Sequence, residues 1–294
     1  MSRLRAWLQL MRIGNVFTAI ADVLAGGLFV GAVPNDLRRL WVAAGASALL
    51  YTAGMILNDV FDIRKDRSER PTRPLPSGAV PLRSAAIVGA AMLLAGWAIL
   101  ATLQLSTALA GTALALAIVA YDGAVKNTPA APAMMGLCRA LNLALGMLIV
   151  GTPWRWPQYT AVSLMWLYIA SVTLFARREA GVSTLVRLAV GSAGVGAAIV
   201  GVALIALLHP ARATAPWLVW LACAGLLLLL AIPAGRALRS RAPQNVQTAV
   251  ISFIFGLVLF DALLVLIARG PALALATAAL IVPTIVIGRW IRPT

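Results

Sequence analysis

Long apolar runs, separated by short links that carry Arg, Pro and a few acids, set the rhythm of this chain. Ten runs can be marked, at 13–33, 40–61, 82–103, 106–122, 133–151, 159–176, 187–208, 216–235, 246–268 and 271–289. About 20 apolar residues in a helix cross the ~30 Å hydrocarbon core of a bilayer. The pattern therefore predicts an all-α, polytopic membrane helical bundle with nine to ten transmembrane helices. Runs 106–122 and 271–289 are the weakest, being short or flanked by proline. Glycine is interspersed through the Leu-, Ala- and Val-rich runs, as expected where helices pack closely in lipid. The segment "SRLRAWLQLMR", residues 2–12, reads as an amphipathic helix on the membrane surface with Trp7, Leu8 and Met11 towards lipid. No soluble module or low-complexity linker interrupts the series, so residues 1–294 read as a single integral-membrane domain.

Composition reinforces this reading. The chain is 62% hydrophobic and 11% charged, against about 25% charged in a soluble domain. A net charge of +15 raises the question of nucleic acid, and the placement of the charge answers it. Basic residues crowd alternate links: Arg3, Arg5 and Arg12; Arg64, Lys65, Arg67, Arg70, Arg73 and Arg83; Lys126; Arg177, Arg178 and Arg187; Arg236, Arg239 and Arg241; Arg289 and Arg292. The intervening links hold only Arg38, Arg39, Arg155, Arg212 and Arg269. This asymmetry is the positive-inside pattern. It puts both termini and the loop 63–82 in the cytoplasm, and it gives no nucleic-acid role. Cys138 and Cys223 both lie inside apolar runs, so no disulfide framework is implied.

Negative charge is scarce and uneven. Four of the nine acidic residues, Asp59, Asp62, Asp66 and Glu69, fall within "LNDVFDIRKDRSERPTRPLPSG", residues 57–78. At 100° per residue, Asp59, Asp62 and Asp66 lie within a stripe about 60° wide. Acids at a membrane helix face a bundle interior or a wet cavity, and clustered carboxylates need cations. Asn58 beside them adds a neutral oxygen, and such a set suits Mg²⁺, which binds one or two carboxylates together with substrate phosphates. A solvated helix end with mixed topology charges is the plainer alternative. The stripe, the preceding Asn and the depletion of acids elsewhere favour the metal.

The segment "NDVFDIRKDRSERPTRPLPSG" resembles the first aspartate-rich motif of the UbiA superfamily of intramembrane prenyltransferases, NDxxDxxxD followed by RPxRPxPSG. The match runs through Asn58, Asp59, Asp62 and Asp66, then Arg70, Pro71, Arg73, Pro74, Pro76, Ser77 and Gly78. "YDGAVKNT" and "MGLCRALN" resemble the UbiA-like subfamily encoded in bacterial ebo-type operons. Family members usually have nine helices, which leaves the run 271–289 as an additional one. The resemblance implies Mg²⁺-dependent transfer of a prenyl group from a prenyl diphosphate to a lipophilic or aromatic acceptor, among membrane lipids. It also implies a bacterial inner-membrane protein whose site faces the cytoplasm. Asn58, Asp59, Asp62 and Asp66 would be catalytic, the three aspartates as metal ligands, with Arg70 and Arg73 binding diphosphate.

Further candidates lie in the other links. "YDGAVKN" resembles the family's YxxxxK segment, whose Tyr and Lys are expected on diphosphate. A regular helix would set Tyr121 and Lys126 about 140° apart, so a bend near Gly123 and Pro129 is expected. After the sixth run the family commonly carries a second acidic motif. Here "VTLFARREAG" offers Arg177, Arg178 and only Glu179. Three readings follow: an arginine takes over charge neutralisation from a second Mg²⁺, the site has changed its substrate, or the chain is a catalytically altered homologue that binds or transports an isoprenoid phosphate. Arg139 and Asn142, one turn apart in an apolar run, are expected to face a cavity, with Asp122 or diphosphate as a partner for Arg139. Asn15 and Asp22 share a face of the first long helix. The family's first helix lines the acceptor side, so both are candidates for acceptor binding, and a buried arginine is an equal alternative partner for Asp22. Asp261 is a further isolated acid. His209 lies in an outer link, too far from the cytoplasmic site to act as a base.

Overall fold

The computed structural model describes residues 2–177, 184–208 and 216–291. All regular structure among them is helical. Short α1 (Arg3–Leu10) and a 3₁₀ turn (Ile13–Asn15) lead into α2 (Val16–Phe29). α3 (Pro34–Phe61) runs almost without interruption into α4 (Ile63–Glu69). After the Pro-rich loop come α5 (Leu82–Leu103), α6 (Leu105–Ala120), a π-helical turn (Tyr121–Val125), α7 (Ala131–Val150) and α8 (Trp156–Ala176). The remainder comprises α9 (Leu185–Leu208), α10 (Pro216–Ser240), α11 (Pro243–Arg269), α12 (Pro271–Ala278) and α13 (Ile281–Trp290).

Among the described residues nine helical units are long and apolar enough to cross a membrane. They become ten if α1 and α2, bent by 46° across Arg12, count as one span. The protein is a polytopic membrane bundle, as the apolar runs predict. The tenth run, 271–289, is a helix pair interrupted at Ala279 and Leu280, with α12 on α11 and α13 on the 3₁₀ turn. Proline at the first position of α3, α11 and α12 costs no intrahelical hydrogen bond there and presets the helical φ.

Two helices, α2 and α11, form the bundle's interior. α2 packs on α3, α7 and α11, and α11 also packs on α10, α12 and α8. α2 crosses α7 at unusually close range. A methyl group at Gly146 would collide with the Val23 carbonyl, and one at Gly26 with the Leu143 carbonyl. Only glycine admits that backbone approach, and it brings the polar residues of α2 and α7 together.

The N-terminal segment departs from its predicted place. Trp7 and Met11 pack beside Leu10, Ile56, Leu75 and Val80, rather than turning to lipid. α1 thus lies on the end of α3 and on the Pro-rich loop, because those elements offer it an apolar seat. The turn between α1 and α2 rests on Arg12, whose backbone is left-handed at φ 46° and ψ 45°. For a non-glycine residue that conformation costs free energy, so it is held by its surroundings.

Candidate active site

The acids of the first motif meet cations at one end of the bundle. Asp62 caps α3 and breaks the helix, with its N–H donating to the Asn58 carbonyl at 3.0 Å. The predicted stripe is therefore carried by two helices joined at Asp62. Asp59 and Asp66 are buried, while Asp62 is partly exposed. Arg73, from the Pro-rich loop, reaches Asp66 Oδ2 at 2.8 Å and Asp59 Oδ1 at 3.6 Å. Arg12 approaches Asp59 Oδ1 from the other side, also at 3.6 Å. Asp62 turns to Lys126 Nζ, 2.8 Å away. Among the described residues no three His, Cys, Asp or Glu side chains form a ready-made metal cage. The three aspartates are divided, two towards Arg73 and one towards Lys126.

The π-helical turn explains how Lys126 arrives there. Its N–H donates to the Tyr121 carbonyl, five residues back, at 2.9 Å. The wider turn rotates the chain relative to a regular helix and supplies the bend that the five-residue spacing requires. Lys126 Nζ also lies 3.4 Å from the Asn58 carbonyl. Asn58 Nδ2 donates to Asp122 Oδ1 at 2.7 Å. An ionised carboxylate only accepts, which fixes which end of the Asn58 amide faces Asp122.

Behind this cluster opens a cavity of about 430 Å³. Arg12, Asn15, Tyr121 and Asp122 stand in its wall with Arg139 and Asn142. Much of the remaining wall is apolar, with Leu50, Leu114, Ile118, Val172 and Leu257 among its side chains. Such a volume, apolar with a few convergent polar groups, suits a small lipophilic ligand with a charged head.

A second polar cluster lies deeper, between α2, α3, α7 and α11. Arg139 does not pair with Asp122. It donates to Asp22 Oδ2 and to Thr18 Oγ1, both at 2.8 Å, and stacks over the Tyr51 ring at 5.2 Å. Asn142 Nδ2 donates to Asp22 Oδ2 and to the Ala19 carbonyl at 2.9 Å, and Asn142 Oδ1 accepts from Ser47 Oγ at 2.5 Å. Asp22 and Asp261 have no exposed surface. Asp22 Oδ1 and both oxygens of Asp261 have no hydrogen-bond partner among the described residues. Arg139 thus supplies one positive charge to two buried acids, and a proton on Asp261 would make the three groups neutral.

The structure thus brings Asn58, Asp59, Asp62, Asp66, Arg73, Tyr121 and Lys126 to one mouth. It places Asn15, Arg139 and Asn142 in the wall of the same cavity, with Asp22 behind Arg139. Arg70 is exposed at the end of α4. Arg177 ends α8 and is half-buried, while Arg178, Glu179 and His209 lie outside the described residues. Sequence reasoning passed over Arg12 as a topology charge and gave Asp122 no role beyond a partner for Arg139. The signals available were Arg12 three residues before Asn15, and an acid inside the YxxxxK segment in a chain with so few acids.

Comparison with known proteins gives the family and the fold. Residues 19–256 match the model of the UbiA prenyltransferase family. A digeranylgeranylglyceryl phosphate synthase of Saccharolobus solfataricus is 27% identical over 125 residues, 42% of this chain and 44% of the relative. The chain therefore spans less than half the length of that curated relative. A solved structure described in connection with digeranylgeranylglyceryl phosphate synthase in membranes superposes with a TM-score of 0.64 at 18% identity, covering 97% of this chain and 99% of the other. A UbiA homologue from Archaeoglobus fulgidus, bound to DMAPP and Mg²⁺, superposes with a TM-score of 0.50 at 15% identity, covering 97% and 98%. At these identities the structural likeness establishes the fold.

Proposed function

The chain belongs to the UbiA prenyltransferase family, and on that premise we propose that it transfers a prenyl group from a prenyl diphosphate to a lipophilic or aromatic acceptor, with Mg²⁺. The observation that carries this reading is the joining of an acid-and-arginine mouth to an apolar cavity of about 430 Å³. The mouth suits the diphosphate and the cavity suits the prenyl chain. The whole of residues 1–294 is taken as one such domain.

The residues present fit the metal. Asp59 Oδ1 is buried and has no hydrogen-bond partner, its two guanidinium neighbours standing off at 3.6 Å. An oxygen left in that state favours an added cation. Asp59 and Asp66 would hold it on the Arg73 side of the mouth, and Asn58 and Asp62 on the Lys126 side. Mg²⁺ bound there supplies charge neutralisation for a departing diphosphate.

The chain's own groups do the rest. Arg73, Lys126 and Arg12 offer charge-assisted donors to diphosphate oxygens, and Tyr121 offers a hydroxyl at the boundary of mouth and cavity. The apolar walls exclude water from the carbon–oxygen bond as it ionises, which protects an allylic cation from hydrolysis. Asn15, Arg139 and Asn142 line the acceptor side, and Asp22 holds Arg139 in position. The protein lies in the membrane. The excess of basic residues at the mouth end supports a cytoplasm-facing site, and a bacterial inner membrane is the setting proposed.

The change after α8, where two arginines and a single glutamate replace the family's second acidic motif, favours a second reading. In that reading the chain binds or moves an isoprenoid phosphate without transferring the prenyl group. Incubation of purified protein with radiolabelled prenyl diphosphates of several lengths, with candidate acceptors and with or without Mg²⁺, separates the two. Mg²⁺-dependent formation of a labelled lipid product supports transfer. Tight binding with no product under all conditions supports the second reading.

A further inference from the structure

We propose that Asp122 supplies a carboxylate to a second divalent-cation position at the mouth, doing the work of the acids missing after α8. This rests on the Mg²⁺-diphosphate reading above. Asp122 is buried and faces the main cavity beside Arg12 and Tyr121. One of its oxygens accepts from Asn58 Nδ2 at 2.7 Å. No Lys or Arg of the described residues stands in ion-pair contact with it, unlike Asp59, Asp62 and Asp66.

The Asn58 amide gives the position its shape. With Nδ2 committed to Asp122, Asn58 Oδ1 is turned away from that carboxylate, in the orientation a ligand oxygen needs. A hydrogen-bond partner that fixes a ligand's orientation matters nearly as much as the ligand. Lys126, Asp62 and Arg12 all lie close enough to Asp122 for their charges to act on it, Lys126 the most strongly, and Lys126 ties Asp62 to the Asn58 backbone. Asn58, Asp62 and Asp122 therefore stand together, apart from Asp59 and Asp66 on the Arg73 side.

Charge balance points the same way. Asp59, Asp62, Asp66 and Asp122 face Arg12, Arg73 and Lys126, which leaves one negative charge at the mouth. A prenyl diphosphate brings roughly three more. Two divalent cations neutralise that total, and one leaves the mouth strongly negative. Mg²⁺ takes few protein ligands and completes its shell with waters and phosphate oxygens, so a pair of carboxylates and an amide oxygen suffice on each side.

The test counts ions rather than turnover. Full-length protein in lipid nanodiscs is saturated with geranyl thiodiphosphate, a non-reactive analogue, and titrated with Mn²⁺ followed by electron paramagnetic resonance. Wild type is expected to bind two Mn²⁺ per chain, and Asp122→Asn one, with thermal unfolding showing both folded. Asp122→Glu, which keeps the charge, is expected to retain two. Two ions in folded Asp122→Asn, none in it, or only one in wild type would each overturn the role of Asp122. Wild type that binds the analogue but no Mn²⁺ would overturn the metal reading as well.

Discussion

Two acid-and-arginine clusters sit in one cavity system, and they are built differently. At the mouth, Asp59 has guanidinium groups at 3.6 Å on two sides and an oxygen with no hydrogen bond. In the interior, Arg139, Asp22, Thr18, Asn142 and Ser47 are joined by contacts of 2.5–2.9 Å. At the mouth the two pairs to Asp59 are long, Arg12 is half-exposed, and the cations are carried on a loop and short turns. The interior pairs are short and held between helices, of which α2 and α7 cross at glycine. Lys126 and Arg12 at the mouth can turn to a ligand or a metal, since Asp62 is partly exposed and Arg12 stands 3.6 Å from Asp59, whereas Arg139 cannot leave without stranding fully buried Asp22. Ligand exchange and bundle integrity thus fall to separate clusters of the same residue types.

The sharpest way to break this division is to remove a mouth acid. Asp59→Ala or Asp62→Ala is expected to lower prenyl transfer by about a thousandfold, corresponding to several kcal/mol of lost charge stabilisation. The thermal unfolding midpoint should change little. Near-normal turnover at saturating Mg²⁺ would remove the metal role from that residue.

Arg139→Leu probes the other cluster and should give the opposite signature. Leaving Asp22 buried without its partner costs ~3–5 kcal/mol, visible as a lower unfolding midpoint and poorer yield in detergent. Lys126→Leu, at the mouth, removes the partner of the partly exposed Asp62 and should leave stability nearly unchanged while weakening diphosphate binding. If the two variants lose stability equally, the clusters do not differ as described.

A smaller effect is expected at Asp261. Its carboxyl group has no hydrogen-bond partner among the described residues, so Asp261→Asn, nearly equal in volume, should shift stability by no more than about 1 kcal/mol. A loss several times larger on thermal unfolding would show that the carboxyl group makes an interaction the amide cannot replace.

Ser77→Cys should change neither stability nor activity, and it reports the side of the membrane. Its thiol should react with an impermeant reagent only after the inner face is exposed. Labelling from outside intact cells would turn the mouth to the other side.

Much of this was legible in the sequence, for a physical reason. A hydrocarbon core demands long apolar helices, so the spans show as uninterrupted runs and the predicted bounds fall close to those observed. The first motif was legible because its acids are local, within eight residues. The interior cluster was not. Asp22, Arg139 and Asp261 lie more than 100 residues apart, and they meet only because α2 crosses α7 at glycine and packs on α11. Arg12 was hidden because a left-handed backbone at that residue redirects the chain, a conformation that no side-chain pattern announces. Tyr121 and Lys126 needed a π-helical turn, which their spacing required but did not specify.

The most direct measurement is the affinity of the full-length protein in nanodiscs for radiolabelled geranyl thiodiphosphate, with Mg²⁺ and then with EDTA. Chelation is expected to weaken binding by at least about tenfold, the loss of roughly one strong charge contact, with a residual held by Arg73 and Lys126. Asp59→Ala combined with Asp62→Ala should show only that residual, whether or not Mg²⁺ is present. Binding in wild type that is equally tight in EDTA would contradict a metal-holding mouth.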